Sequence, residues 1–404
     1  MMTLEQFKAA RAVLAGVLHD THLVHSPALS KTCENQVYIK PENMQVTGAY
    51  KIRGAYYKIS TLTEEQKAKG LITASAGNHA QGVAYAAQKA GVSATIVMPT
   101  TTPLVKVNNT KDLGAKVILH GETFDDAAAL AAKISEEEGL TYVHPFNDPV
   151  LATGQGTIAY EIFSDLPDVD VILVPVGGGG LATGVSTLAK LLNPNVKVYG
   201  VEPTGAASMK ASLEAGHVVS LDKVVTIADG VAVKTPGDQI FPYIQKNLDG
   251  IITIDDAELV DAFLDMMEKH KMIVENAGLL SVAALHHLDC KGKNVVSVLS
   301  GGNMDVITVS SLVQHGLLNR GRIFTFSVQL PDRPGELLRV AEIVSGQNGN
   351  IIKLEHNQFV NINRQSGVEL RVTLEAFGHA HKQKILEALN QAGLEAVETL
   401  TASF

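Results

Sequence analysis

The sequence predicts an α/β protein built on parallel sheets, followed by a small ferredoxin-like βαββαβ module. Two observations carry the first part. Short apolar runs alternate with helical segments at regular spacing through residues 37–299, and residues 171–176 are almost wholly apolar, as buried parallel strands are. One observation carries the second. Beyond residues 316–321, Phe324, Phe326, Val328 and Leu330 alternate with polar neighbours, the period of a half-buried antiparallel strand.

The chain of 404 residues is long enough for two or three domains at roughly 150 residues each. Hydrophobic residues make up 46% and charged residues 19%, a globular balance. A net charge of −9 argues against a nucleic-acid or membrane-surface partner. The two cysteines, Cys33 and Cys290, have no CxxC spacing, which excludes a disulfide framework and a thiolate zinc cluster. Met1-Met2-Thr3-Leu4-Glu5 has no basic region followed by an apolar run, so no export signal is expected and a reducing cytoplasm is the expected home. The uncharged run 171–189 holds five glycines and Pro175, and reads as buried strand, loop and helix rather than a membrane span.

In chain order, residues 3–18 carry Leu4, Phe7, Val13, Leu14, Val17 and Leu18 on one helical face. His19, His22 and His25 recur three apart. Ser26-Pro27 follows and no acidic or cysteine partner completes a metal set, so a loop or strand edge is expected. A strand over 37–41 ends at Pro41, a helix covers 54–61, and a strand over 70–74 leads into an alanine-rich helix running to Lys89. Strand 94–98 stops at Pro99; helix 105–113, strand 116–119 and helix 124–138 follow, the last closed by Gly139. After Asp148-Pro149 come helix 157–163, strand 171–176, a helix opened by glycines, strand 196–201, helices 257–270 and 278–288, and strand 295–299. The C-terminal module reads as strand 324–330, a helix capped by Asp332, strands 351–361 and 368–376 joined through Arg364-Gln365-Ser366-Gly367, helix 381–392 and strand 395–401.

Four stretches carry chemistry. Lys51 stands in Thr47-Gly48-Ala49-Tyr50-Lys51-Ile52-Arg53-Gly54-Ala55 with no carboxylate close by. Alone, it reads either as a solvated surface charge or as an amine that desolvation turns into a nucleophile. Gly177, Gly178, Gly179 and Gly180, then Leu181, lie between an apolar strand and a helix. Successive backbone N–H groups can turn inward there onto an anion, with the helix dipole behind them; a tight packing turn is the alternative. No GxxxxGK[ST] lysine points to a nucleoside triphosphate. Ser75-Ala76-Gly77-Asn78-His79-Ala80-Gln81-Gly82 repeats the context of strand, small residues and helix start, where backbone N–H groups can hold a carboxylate and Asn78 can donate to an anion; a helix N-cap by Ser75 or Asn78 with no ligand is the alternative. Ser300-Gly301-Gly302-Asn303 follows the last buried strand, at the end where ligands gather in parallel sheets; a serine hydroxyl there can meet a ring nitrogen, and a plain turn is the alternative. A free amine, a phosphate cradle, an asparagine and a serine match the aldehyde, phosphate, phenolic oxygen and ring nitrogen of pyridoxal 5'-phosphate.

Together with Asp229-Gly230-Val231-Ala232-Val233-Lys234-Thr235-Pro236-Gly237-Asp238, these motifs resemble the fold-type II pyridoxal phosphate enzymes, and within them the threonine dehydratases (threonine ammonia-lyases), over roughly residues 10–320. Leu330-Pro331-Asp332-Arg333-Pro334-Gly335-Glu336-Leu337 resembles an ACT domain, an amino-acid-sensing module. The resemblance implies a large cofactor-binding domain over 1–47 and 151–320, a small catalytic subdomain over 48–150 and an ACT domain over 321–404. It implies that Lys51 holds the cofactor as a Schiff base and takes the α-proton, that Asn78 meets the phenolic oxygen, that Gly177, Gly178, Gly179, Gly180 and Leu181 bind the phosphate, and that Ser300 meets the pyridine nitrogen. Ser75, Ala76, Gly77, Asn78 and His79 would hold the substrate carboxylate, and Glu275 would form part of the active-site wall. The implied reaction converts threonine to 2-oxobutanoate and ammonia, and serine to pyruvate. A homotetramer or homodimer with an amino-acid effector at the ACT domain is expected.

Three departures sharpen the reading. Serine racemases of this fold carry a serine where this chain has Ala76, which has no proton to give, so racemisation is disfavoured. Those relatives also bind a divalent cation; here Glu202 matches but Ser208 takes the second acidic position, so no metal is expected. Thr21-His22-Leu23 stands where the family often has Thr-Pro-Leu. The rival readings are a serine-preferring dehydratase, a serine or threonine racemase and a catalytically silent amino-acid sensor. A nucleotide-binding oxidoreductase would want a GxGxxG after the first strand with an acidic residue about 20 positions later, and that pair is missing.

Overall fold

The computed structural model describes residues 2–357 and 367–401. The chain divides into two compact units, Met1–Asp305 and Val306–Phe404. The first contains strands Val24–His25 (β1), Gln36–Pro41 (β2), Leu71–Ala74 (β3), Ala94–Met98 (β4), Lys116–Leu119 (β5), Thr141–Tyr142 (β6), Val171–Pro175 (β7), Lys197–Pro203 (β8), Gly250–Ile254 (β9) and Asn294–Leu299 (β10). They form a six-stranded sheet of order β1-β2-β10-β7-β8-β9 and a four-stranded sheet of order β5-β4-β3-β6. Every pairing is parallel except that of β1 with β2. This is the expected α/β architecture. His25 sits on the two-residue edge strand β1 and His22 in the loop before it, where its ring nitrogen lies 3.3 Å from Asp165.

The large sheet is covered by the helices Pro149–Asp165 and Gly180–Leu192, whose Ile158, Ile162, Val185 and Leu188 pack on Ile172, Val174, Val196 and Val198. The first of these helices begins eight residues earlier than the expected 157. Asp148 caps it, accepting from Val150 N at 2.7 Å, and Pro149 occupies the first turn. Its glycines face a close helix crossing: a Cβ on Gly156 would lie 2.5 Å from Gly184 O, and one on Gly184 2.0 Å from Ala152 O. The uncharged run 171–189 is β7, the glycine turn and buried helix; among the described residues no helix is long and apolar enough to cross a membrane. Helix 278–288 is instead Asn276–Ala283 with a 3₁₀ extension over Ala284–His287.

The second unit opens with the helix Val306–Asn319 and continues as Ile323–Leu330 (β11), a helix over Glu336–Gly346, Asn350–Asn357 (β12), Val368–Glu375 (β13), a helix over His379–Gln391 and Val397–Thr399 (β14). The antiparallel sheet order β12-β13-β11-β14 and the βαββαβ sequence are ferredoxin-like. Phe326, Leu370, Leu374, Val340, Ile385 and Leu389 fill the space between sheet and helices. Asp332 is not the cap expected there: the helix starts after Gly335 in the left-handed region at φ 98°, with no side-chain cap. Residues 358–361 of the expected strand and 364–366 of its link lie outside the described residues.

Candidate active site

Lys51 is the first residue of the helix Lys51–Ser60. It is half-buried, its Nζ donates to Pro145 O at 2.8 Å, and it lies 5.4 Å from the centre of the Tyr50 ring. Burial, partly offset by the Glu275 carboxylate, lowers its pKa to about 8, so the amine sheds its proton far more readily than a surface lysine. The adjoining helix Asn78–Ala90 packs closely on this point; a Cβ on Gly82 would stand 3.2 Å from the Lys51 carbonyl carbon.

Residues Ser75 to His79 lie between β3 and that helix. The Ser75 hydroxyl accepts from Gly77 N at 3.3 Å, and Gly77 precedes the first helical residue, Asn78. His79 is buried with Nε2 3.0 Å from Val143 O; burial, and then the Lys51 charge, lower its pKa to about 3. Its imidazole therefore stays neutral. Ser300 directly follows β10 of the neighbouring sheet. Its carbonyl accepts from Tyr50 N at 3.0 Å, and Ala49 bridges to Gly301. Ser300 is 3% exposed.

The glycine turn is held by packing as well as by any anion. Gly179, at φ 101°, precedes the helix Gly180–Leu192. A Cβ on Gly178 would strike the Phe146 ring at 2.2 Å, and one on Gly177 would come within 2.9 Å of Val231 Cα. The segment 145–146 thus links two parts of the site, since Pro145 accepts from Lys51 and Phe146 lies over the glycines. Sequence reading missed both residues, whose partners are remote in the chain. The Asp229–Asp238 stretch closes on the same turn: Gly237 N donates to Gly178 O at 3.1 Å, and Asp229 pairs with Lys106 at 3.3 Å. The first N–H groups of the helix behind the glycines have no intrahelical acceptor, so they and the dipole favour an anion there.

Glu275 precedes the helix Asn276–Ala283 and accepts from Asn78 Nδ2 at 2.7 Å. Burial, reinforced by Asp229, raises its pKa to about 7 from 4.5. A raised carboxylate pKa means the folded protein binds the extra proton. Its contribution to stability is complete below pH 4.5 and is lost as pH rises through about 7, on the order of 3 kcal/mol across the window. Glu275→Gln removes that dependence. Without cofactor, its melting temperature relative to wild type is expected to climb between pH 4.5 and 7; a constant difference would rule out a buried titrating carboxylate.

Glu202 is committed elsewhere. Its two oxygens accept from Met209 N at 2.9 Å and Lys210 N at 2.8 Å, at the start of the helix Ser208–Ala215. Among the described residues no group of three histidine, cysteine or acidic side chains is placed to hold a metal.

The assembled groups suit a ligand with an aldehyde, a phosphate and a ring nitrogen. An amine of lowered pKa, a glycine turn at a helix start and the hydroxyl of the buried Ser300 lie at the carboxyl ends of two parallel sheets. The family model for pyridoxal-phosphate dependent enzymes matches residues 14–301. The chain is 45% identical to the L-threonine ammonia-lyase of Thermotoga maritima over 98% of this chain and 99% of that one. It is 39% identical to the biosynthetic L-threonine dehydratase of Bacillus subtilis, over 97% and 93%. The processed form of threonine deaminase isoform 2 from Solanum lycopersicum superposes with a TM-score of 0.73 at 40% identity, covering 78% of this chain and 94% of that one. Maize serine racemase gives 0.73 at 33%, covering 79% and 98%. The chain belongs to the pyridoxal-phosphate dependent enzymes of fold type II, and among them to the threonine ammonia-lyase, or threonine dehydratase, family.

Proposed function

We propose that this protein converts L-threonine to 2-oxobutanoate and ammonia, and L-serine to pyruvate and ammonia, with residues 48–150 as the small catalytic subdomain of a domain completed by 1–47 and 151–320. The observation that carries the reading is Lys51: a half-buried amine of lowered pKa on a helix start. Bound pyridoxal phosphate supplies the electron sink that makes the α-proton acidic and lets the β-hydroxyl leave. Lys51 would hold the cofactor through its amine and would be the base that takes the α-proton. The N–H groups of Gly177 to Leu181 hold the phosphate, Asn78 donates to the phenolic oxygen, and the Ser300 hydroxyl meets the ring nitrogen. A serine there would not oblige that nitrogen to be protonated, which would favour prompt loss of the β-hydroxyl. The backbone of Ser75 to His79 holds the substrate carboxylate and Glu275 walls the site. Ala76 offers no proton to the opposite face, so elimination is favoured over racemisation.

Residues 321–404 of the second unit serve as the ACT domain in this reading. Beside the Pro331–Glu336 turn lies a concavity of about 150 Å³, lined by Leu330, Arg333, Glu336, His356 and Leu370 among others. Glu336 is 7% exposed, and the Arg333 guanidinium, 2.7 Å away, holds its carboxyl below the usual range. Charges of both signs beside apolar walls suit a free amino acid as effector. A homotetramer or homodimer in a reducing cytoplasm completes the proposal, the two cysteines being free thiols.

The test is product formation from threonine and serine, with and without branched-chain amino acids. Threonine is expected to lead by roughly tenfold or more, the scale on which a pocket senses one methyl group. An added branched-chain amino acid is expected to change the rate. Faster turnover of serine would make the enzyme a serine dehydratase, and release of D-serine a racemase. No 2-oxo acid from either substrate, with no visible absorbance band after cofactor is added, would leave a silent sensor.

A further inference from the structure

Asn78 can serve a cofactor only if its carboxamide faces one way, and the structure shows what sets that face. Its Nδ2 lies 2.7 Å from Glu275 Oε1, and its Oδ1 lies 2.8 Å from Asn303 Nδ2. Asn303 Nδ2 also donates to the Thr47 carbonyl at 2.8 Å. A backbone carbonyl only accepts, so the direction of the chain is fixed at that end. Asn303 must present its NH₂ to Thr47 and hence to Asn78 Oδ1, which leaves Asn78 Nδ2 to Glu275. Each link in the series has donor facing acceptor, and turning either carboxamide over would set acceptor against acceptor.

Two glycines keep room for this arrangement. A Cβ on Gly48, which adopts φ 69°, would stand 2.4 Å from Asn303 Oδ1. A Cβ on Gly301 would stand 2.4 Å from Glu275 Oε1 and 3.0 Å from Asn78 Nδ2. The loop is also tied down by its backbone, with Glu275 N donating to Gly301 O at 3.0 Å and Gly302 N to Gly48 O at 2.9 Å. The Ser300–Asn303 stretch therefore does more than present a serine.

We propose that Asn303 is a positioning residue that holds the NH₂ of Asn78 toward the cofactor's phenolic oxygen, with Gly48 and Gly301 clearing the space for it. This rests on the reading that Asn78 contacts the cofactor. One amide hydrogen goes to Glu275 and the second is left for the cofactor.

The experiment is a double-mutant cycle on Asn78→Ala and Asn303→Ala, read as the Kd of the cofactor-free protein for pyridoxal phosphate and as the pH midpoint of the bound cofactor's visible absorbance. Each single variant is expected to weaken binding roughly five- to tenfold, the scale of one hydrogen bond, and to raise the pH midpoint because a donor to the phenolate is lost. The double variant is expected to be no worse than Asn78→Ala, since Asn303 acts through Asn78. An Asn303→Ala effect that persists in full without Asn78, or one with no change of midpoint, overturns the proposal while leaving Asn78 in contact with the cofactor. No effect of Asn78→Ala on either readout removes Asn78 from the cofactor and overturns both. If Asn303→Ala does not fold, Asn303→Asp carries the same test: it keeps the shape but has no donor for Thr47 or Asn78, and is expected to bind the cofactor more weakly still.

Discussion

Lys51→Ala is expected to remove the visible absorbance band of the protein with its cofactor and to lower 2-oxobutanoate formation by about a thousandfold or more, because nucleophile and base are lost together. The structure explains why this amine is fit for both tasks. At a pKa of about 8, roughly one Lys51 in ten is neutral at pH 7, against about one in three thousand for a lysine at its ordinary value. Burial supplies the shift, and the positive end of the helix it starts works in the same direction. Lys51→Arg separates chemistry from charge. It keeps a cation near Pro145 and Glu275 but cannot deprotonate, so it is expected to be as inactive as Lys51→Ala. Product formation within tenfold of wild type from either variant would remove Lys51 from the reaction. The sign of the linkage gives an independent check. A lysine with a lowered folded pKa binds fewer protons folded than unfolded between pH 8 and 10.5, so its penalty to the folded protein is relieved as pH rises through that window. Lys51→Met is expected to melt above wild type near neutral pH when both lack cofactor, with the gap closing toward pH 10.

The features most legible in the sequence were those that repeat locally. Strands 94–98 and 116–119 and helix 124–138 are found at the expected residues, because the apolar period is uninterrupted and Pro99 and Gly139 mark the ends. Where tertiary contact overrode local preference, the reading fell short. Gly154 and Gly156 shortened the expected helix, yet they lie inside it because a neighbouring backbone comes too close for any side chain. The four glycines of 177–180 are legible as a site, but an anion accounts for only half of their cause; Phe146, Val231 and Ile240 exclude side chains there too. Asn303 stood in a motif whose serine drew all the attention, and its partners Thr47 and Asn78 are more than 200 residues away in sequence. Arg53 stands within the Lys51 motif, and nothing near it in sequence hints at what it meets.

Arg53→Ala is expected to lower the melting temperature by on the order of 10 °C, through loss of a buried ionic cluster worth about 3–5 kcal/mol when one partner is removed. The Arg53 side chain is fully buried two residues beyond Lys51. Its Nε and Nη2 donate to Glu42 at 2.7 and 2.8 Å, and Nη1 and Nη2 donate to Glu161 at 2.6 and 2.8 Å. Lys40, also buried, bonds Glu161 and lies 3.8 Å from Glu42, and Thr21 donates to Glu42 at 2.6 Å. Burial alone would push the Glu42 pKa up; Arg53, then Lys40 and Thr21, overcome that and bring it to about 2. Glu42 therefore contributes stability above its ordinary value of 4.5 that is lost as pH falls toward 2. Without Arg53 the same buried carboxylate is pushed upward and costs the fold at neutral pH. The gap in melting temperature between wild type and Arg53→Ala is thus expected to be widest near pH 7 and to narrow below pH 4.5. Salt should change it little, because buried pairs are weakly screened. Arg53→Lys should fall between the two, keeping the charge but not the fork that meets both carboxylates. A gap that stays constant from pH 7 to pH 3 would assign the loss to packing around the Arg53 stem and leave the buried charges without a part in holding the start of the Lys51 helix.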